Sequence, residues 1–142
     1  MTITEALHLG DFIAPFVVKE HLSPSKLNWT CVWGNNDGDQ LRTIALASSN
    51  VDIAPSDFRE IEKDGRKIFM THYPEIGRIA ALSGQYDAVF FGHNHTASQE
   101  VIEVGEKKVL LVNPGEIYGM RTGKISFGIY DTQSNTFEHI WL

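Results

Sequence analysis

The apolar residues of this chain come in short runs, and this feature restricts its possible folds more than any other. The runs at residues 88–91 and 109–112 are typical, because four apolar residues are followed at once by a glycine or an asparagine. Runs of this length match buried strands, whereas a membrane-spanning helix needs about 20 apolar residues. The pattern predicts a protein built around sheets, with no membrane span.

In the first half of the chain, strands are expected to alternate with helices. Strands are predicted at residues 5–9 and 27–33, and helices at residues 15–22 and 40–47, the second of which would begin at Asp39 as its N-cap. A chain of 142 residues can bury about 68–70% of its unfolded surface. We therefore expect one α/β domain that spans residues 1–142.

The second half is rich in hairpin signals. Asp64-Gly65 is the strongest of them, since Asp-Gly favours a tight turn between two strands. Two more hairpins are expected around residues 105–106 and 134–135, and a helix at residues 75–82 would place Ile76, Ile79 and Ala80 on one face. Strand–helix alternation followed by hairpins predicts mixed sheets, parallel in part and antiparallel in part.

Net charge and cysteine content indicate which partners and which cellular compartment to expect. The net charge of −6 argues against a surface that binds duplex nucleic acid, which requires a basic stripe. Cys31 is the only cysteine, so no internal disulfide is possible, and no basic and apolar leader follows Met1. A cytoplasmic protein is the expectation.

Several polar residues share one position, directly after a predicted apolar strand, where ligands of α/β sheets bind. They are Asp11, Asn35, His72, His93, His95 and Asn113. A carboxylate, an amide oxygen and three imidazoles without a thiolate suit Mn²⁺, Fe²⁺, Zn²⁺ or Ni²⁺.

Each fragment taken singly also has a plain structural explanation. Gly10-Asp11, Gly34-Asn35 and Asn113-Pro114-Gly115 are common turn sequences, and a lone His72 is more often a core or surface histidine. Gly92-His93-Asn94-His95 is the stronger signal, because two imidazoles lie two positions apart after a buried strand. The other histidines, at positions 8, 21 and 139, fall in ordinary strand or helix positions.

As an ordered set, five motifs resemble those of the calcineurin-like metallophosphoesterases. The branch they resemble most is that of the small bacterial and archaeal phosphodiesterases, to which the retromer subunit of the same fold also belongs. The motifs are Gly10-Asp11, Gly34-Asn35-Asn36-Asp37, Thr71-His72, Gly92-His93-Asn94-His95 and Asn113-Pro114-Gly115. The resemblance runs from about residue 5 to the end of the chain. It implies a four-layer α-β-β-α sandwich of mixed sheets with a dinuclear metal centre at the strand ends.

The resemblance also implies roles for the metal ligands. Asp11 would bridge the two metals, and His95 would bind the first. Asn35, His72 and His93 would complete the second site. The cations would be Mn, Ni, Fe, Zn or Mg, the substrate a phosphate ester, and a metal-bound hydroxide would attack phosphorus in line.

Two further residues of the motifs would serve the reaction without binding the metal. Asn36 would face the substrate phosphate as the catalytic residue, and Asp37 would support a metal ligand from behind. Many relatives have a histidine where this chain has Asn36. An amide cannot protonate a leaving group, and loss of such a donor costs roughly 10²–10⁴-fold for poor leaving groups.

The chain departs from the family pattern at several points. It contains no Asp-x-His motif, with which the family opens and which supplies two ligands of the first metal. We therefore expect a fold that lacks the first strand and helix, either because the reading of the gene is truncated at its 5′ end or because the site has degenerated. Tyr73-Pro74 stands where glycine is common, and Glu116 where serine usually follows Asn-Pro-Gly.

Three functional hypotheses follow. The first is a metal-dependent phosphodiesterase that holds about one metal tightly. The second is a weak or inactive member that acts as a protein-interaction scaffold, and the third is a mononuclear hydrolase of another fold. We also expect self-association into a homo-oligomer, because a missing strand would leave edges and apolar surface exposed.

Overall fold

The computed structural model describes residues 3–142. Strands and helices alternate in the first part of the chain, and most of the later strands form hairpins. They are β1 (Glu5–His8), α1 (Pro15–Val17) continued by a π-helical segment (Val18–Leu22), β2 (Asn28–Cys31), α2 (Gln40–Leu46), β3 (Val51–Ile53), β4 (Phe58–Lys63), β5 (Arg66–Thr71), α3 (Pro74–Leu82), β6 (Ala88–Phe90), β7 (Ser98–Val104), β8 (Lys107–Asn113), β9 (Ser126–Asp131) and β10 (Thr136–Trp141). The expected hairpins are confirmed, whereas strand β3 was not predicted from the sequence.

The strands of residues 3–142 form three sheets. The first contains β1, β2 and β3, all parallel. The second has the order β4-β5-β6-β8-β7, in which β5, β6 and β8 are parallel and the outer strands antiparallel. The third is the antiparallel hairpin of β9 and β10. The prediction of mixed sheets is confirmed.

The layers are held together by strands that are buried on both faces. Ala88 and Phe90 of β6 pack toward β1 and the β9–β10 hairpin, while Val89 and Phe91 pack against α3. The helical segments at residues 15–22 cover the outer face of the parallel sheet through Val18 and its neighbours. The order of layers is therefore helix, sheet, sheet, helix, as expected for the four-layer fold.

Two local predictions are confirmed only in part. Gly77, Ala80 and Ala81 form the buried side of α3, whereas Ile79 is 70% exposed. The small residues let the helix approach closely, since a Cβ built on Gly77 would lie 3.2 Å from Phe91 Cβ. Asp39 is the N-cap residue of α2, as predicted, but it has a positive φ of 43° and its side chain makes no capping hydrogen bond.

The topology brings five strand ends to one side of the molecule. β1 and β2 are parallel neighbours in the first sheet, and β5, β6 and β8 are parallel neighbours in the second, so that within each sheet the loops after these strands start side by side. The backbone N–H of Gly92 donates to the carbonyl of His72 at 3.1 Å, which joins the loops after β5 and β6. No helix among residues 3–142 is long and apolar enough to cross a membrane.

Candidate metal centre

A carboxylate ties the loop after β1 to the loop after β2. Asp37 Oδ2 accepts hydrogen bonds from the backbone N–H of Asp11 at 2.9 Å and of Gly34 at 2.7 Å, and Oδ1 accepts from the N–H of Ile13 at 3.1 Å. Asp11 and Ile13 both have a positive φ, of 61° and 72°, which costs about 1–2 kcal/mol per residue. The bonds to Asp37 therefore hold Asp11 in a conformation that it would not adopt alone.

Close approach of the same two loops requires glycine. A Cβ on Gly10 would lie 2.6 Å from the backbone nitrogen of Gly34, and a Cβ on Gly34 would overlap the Asp11 carboxylate. Asp11 then accepts from Asn36 through both oxygens: the backbone N–H donates to Oδ1 and the amide Nδ2 to Oδ2, each at 2.9 Å. The two glycine motifs therefore join Asp11 and Asn36 directly.

The imidazole of His72 is fixed by the backbone of the loop after β1. Its Nδ1 lies 2.7 Å from the carbonyl oxygen of Leu9, and because a carbonyl only accepts, Nδ1 carries the proton. In a neutral ring Nε2 then bears a lone pair. That atom lies 2.9 Å from Asn35 Oδ1, 3.2 Å from His93 Nδ1 and 3.6 Å from Asp11 Oδ2.

His93, on the loop after β6, completes the same group of atoms. His93 Nδ1 is 2.9 Å from Asn35 Oδ1, and the two imidazoles meet edge to face with 5.0 Å between ring centroids. Four electron-pair donors, from one carboxylate, one amide and two imidazoles, thus face one another around a small space. A cation in that space would satisfy all four donors at once.

The donor set fits a divalent transition metal. Imidazole nitrogen with carboxylate and amide oxygen suits Zn²⁺, Mn²⁺, Fe²⁺ or Ni²⁺, and the hydrogen bond from His72 Nδ1 to a carbonyl is the usual support of a metal-binding histidine. Among residues 3–142, no three His, Cys, Asp or Glu side chains form a metal-binding group by themselves. The amide oxygen of Asn35 belongs to the donor group, because it lies 2.9 Å from a ring nitrogen of each imidazole.

Within residues 3–142, His95 is not hydrogen-bonded to the four donors described above. In the described part of the chain no hydrogen bond joins its ring to Asp11, Asn35, His72 or His93; its Nδ1 is instead 2.7 Å from Glu116 Oε2. Burial of Glu116 would raise the pKa of its carboxyl, but hydrogen bonds from Thr122, His95 and Arg121 outweigh burial and lower this pKa to about 2. His95 is therefore held beside an ionised carboxylate.

Two residues with a role at the strand ends were not predicted. His8 Nδ1 accepts the N–H of Gly10 at 3.2 Å, and its ring stacks on Phe12 with 4.1 Å between centroids. Burial lowers the pKa of His8 to about 4, so the ring stays a neutral acceptor. Glu116 was noted only as a departure from the family pattern. No periodic signal marks either residue, since both act on loops that follow a strand.

Asn113 supports the loop that carries both histidines. Its Nδ2 donates to the carbonyl of Gly92 at 3.1 Å and to Asn94 Oδ1 at 2.6 Å. His93 and His95 have positive φ values of 70° and 62°, so this loop is also held in an unfavourable conformation by its neighbours. Asn113 is a structural support rather than one of the donors.

Comparisons with known proteins identify the family. A family model described as the calcineurin-like phosphoesterase superfamily domain matches residues 1–135. A phosphodiesterase of Methanocaldococcus jannaschii is 34% identical over 143 residues, which cover 99% of this chain and 83% of the relative.

Solved structures give the same picture. An archaeal phosphodiesterase superposes with a TM-score of 0.82 at 34% identity, over 98% of this chain and 83% of the other. The phosphoesterase YfcE of E. coli has a TM-score of 0.59 at 16% identity, over 94% of this chain and 81% of its own. Vacuolar protein sorting 29 of Cryptosporidium parvum has a TM-score of 0.57 at 18% identity, over 99% and 81%. The last two likenesses concern the fold alone.

Proposed function

The chain belongs to the calcineurin-like phosphoesterase superfamily, and from this premise we propose that it hydrolyses phosphodiesters with a divalent cation held by Asp11, Asn35, His72 and His93. The family predicted from the motifs is confirmed. The observation that carries the proposal is the convergence of four donor atoms, with His72 Nε2 only 2.9 Å from Asn35 Oδ1 and 3.2 Å from His93 Nδ1.

The chemistry divides between the cation and the chain. When bound, a divalent cation polarises a phosphoryl oxygen and lowers the pKa of water toward neutrality. The chain's own residues orient the ligands: the carbonyl of Leu9 fixes the ring of His72, and Asp37 fixes the backbone of Asp11. Asn35, Asn36 and His93 are exposed, so a substrate reaches this face from solvent.

We assign to Asn36 the recognition of the substrate phosphate. Its amide already donates to Asp11 Oδ2 at 2.9 Å, and its second amide hydrogen is available to a phosphoryl oxygen. An amide cannot protonate a leaving group, so the enzyme would favour diesters with good leaving groups, such as aryl esters. Asn36→His would restore a proton donor and raise turnover of alkyl diesters by roughly 10-fold or more, with little gain for aryl diesters.

Metal content tests the assignment of the ligands. We expect about one tightly held metal per chain after dialysis, because four donors converge at one site while His95 stands apart from them. His93→Ala should remove that metal and lower kcat/KM for bis(4-nitrophenyl) phosphate by roughly 100-fold or more. His95→Ala should leave most of the metal in place.

The control is His21→Ala, which removes an exposed imidazole in the π-helical segment. Elemental analysis and turnover with added Mn²⁺ are the two measurements. Two tightly bound metals per chain, or unchanged metal content in His93→Ala, would contradict the proposed ligand set. Absence of turnover with intact metal content would instead favour an interaction scaffold.

Self-association is a second part of the proposal. Ile117, Tyr118 and Met120, on the loop between β8 and β9, are 71%, 68% and 75% exposed. Large apolar side chains this close together on a surface often mark a protein–protein contact, and we propose that a second copy of the chain covers them. Sedimentation should show an oligomer that Met120→Gln shifts toward the monomer, and a monomer for the unsubstituted chain at micromolar concentration would contradict this.

A further inference from the structure

The buried carboxylate behind His95 has no part in the four-donor group. Glu116 is 6% exposed, although it lies three residues after the end of β8 and precedes an exposed loop. Its Oε2 lies 2.7 Å from Nδ1 of His95, whose side chain is 25% exposed. A charged side chain is rarely buried to this degree unless hydrogen-bonded partners compensate it.

All the partners of Glu116 are donors. Oε1 accepts from the backbone N–H of Arg121 at 3.1 Å, from the N–H of Thr122 at 2.7 Å and from Thr122 Oγ1 at 2.8 Å. These three bonds hold the carboxylate rigidly, so that Oε2 remains directed at the imidazole of His95. An acceptor held in this way requires a proton on the nitrogen that faces it.

We infer that Glu116 is a positioning residue, which holds His95 in the Nδ1–H tautomer and leaves Nε2 as the one ring nitrogen with a lone pair that can bind a cation. In a neutral imidazole the hydrogen bond of one nitrogen decides the state of the other, and a carboxylate partner also makes the free nitrogen more basic. That a cation binds Nε2 rests on the proposed function, whereas the tautomer does not.

Glu116 also shapes the loop at residues 116–122, so the test must separate that structural role from the effect on His95. Glu116→Gln keeps one carbonyl oxygen for the donors of Thr122 and presents an N–H₂ group to His95 Nδ1. The imidazole nitrogen must then accept, and the tautomer reverses to Nε2–H. Thr122→Val removes the Oγ1 hydroxyl with its contacts to Glu116 and Lys124. It keeps the two backbone donors to Oε1 and should leave the tautomer unchanged.

The tautomer is measured by ¹⁵N-imidazole NMR on the full chain, freed of metal with EDTA, at a pH where imidazoles are neutral. The signal of His95, assigned with His95→Gln, should report Nδ1–H in the unsubstituted chain and in Thr122→Val, and Nε2–H in Glu116→Gln. Glu100→Gln, which removes an exposed carboxylate bonded to Arg78, is the matched control and should report Nδ1–H.

A second readout is the binding of added Zn²⁺ by calorimetry. Glu116→Gln should weaken any weak second equivalent by roughly 10–100-fold and leave the tight equivalent unchanged. An Nε2–H signal for His95 in the unsubstituted chain overturns the inference even if Glu116→Gln fails to fold, and so does an Nδ1–H signal in a folded Glu116→Gln. Failure of the proposed function would appear as absent diester turnover with the expected tautomers.

Discussion

Substitution of Asp37 by asparagine tests how the strained loop of the metal centre is held. The carboxylate accepts three backbone hydrogen bonds, two at Oδ2 from Asp11 and Gly34 and one at Oδ1 from Ile13. Asparagine has the same shape but offers one oxygen and one N–H₂ group. If its oxygen keeps the pair of donors at the Oδ2 position, the N–H₂ group faces the N–H of Ile13, donor against donor.

The expected loss can be estimated from these bonds. A hydrogen bond to a charged group contributes about 1.5–3 kcal/mol and a neutral one about 0.5–1.5 kcal/mol. Two bonds weakened by about 1–1.5 kcal/mol each and one lost bond therefore amount to about 3.5–6 kcal/mol. Removal of a negative charge near Asp11 offsets part of this. We expect Asp37→Asn to lower the free energy of unfolding by about 3–5 kcal/mol.

Urea unfolding followed by tryptophan fluorescence, in EDTA so that metal binding does not contribute, measures this difference. The midpoint should fall while the dependence on urea concentration stays unchanged. Asp39→Asn is the matched control, because that exposed side chain makes no hydrogen bond to its helix, and it should lie within about 0.5 kcal/mol of the unsubstituted chain. Equal midpoints for the two variants would refute the view that Asp37 holds the loop.

Three further predictions concern the core and the pH dependence. Cys31 is fully buried and burial raises the pKa of its thiol to about 12, so it should react with a thiol reagent at pH 8 only on unfolding; fast labelling of the native chain would contradict this. Gly128→Ala should destabilise the β9–β10 hairpin by about 1–3 kcal/mol, because the added Cβ would overlap the ring of Phe137, and an unchanged urea midpoint would refute it. Burial lowers the pKa of His8 from 6.5 to about 4 on folding. The unfolded state therefore binds the proton first, and the free energy of unfolding falls by up to about 3 kcal/mol as the pH drops from 6.5 to 4. His8→Phe keeps an aromatic ring against Phe12 and should remove that part of the pH dependence; an identical slope would exclude His8 as its source.

The amino-acid sequence alone determined the location of the candidate site. Short apolar runs indicated strands, and Asp11, Asn35, His72 and His93 each follow one of them. Parallel strands end on the same edge of a sheet, so residues at those ends are neighbours whatever their separation along the chain. The structure places a polar atom of each of the other three residues within 3.6 Å of His72 Nε2.

Tertiary structure alone decided which atoms support that site. Asp37 reaches Asp11 across 26 positions and Glu116 reaches His95 across 21, and neither contact has a periodic signature. The face of α3 shows the same limit, because the 3.6-residue period grouped Ile76 with Ile79, whereas the sheet packs against Gly77 and its small neighbours. Periodicity states which side chains share a face. Which face is buried, and which donor meets which acceptor, depends on how closely two elements approach, and that is set by the packing of the whole chain.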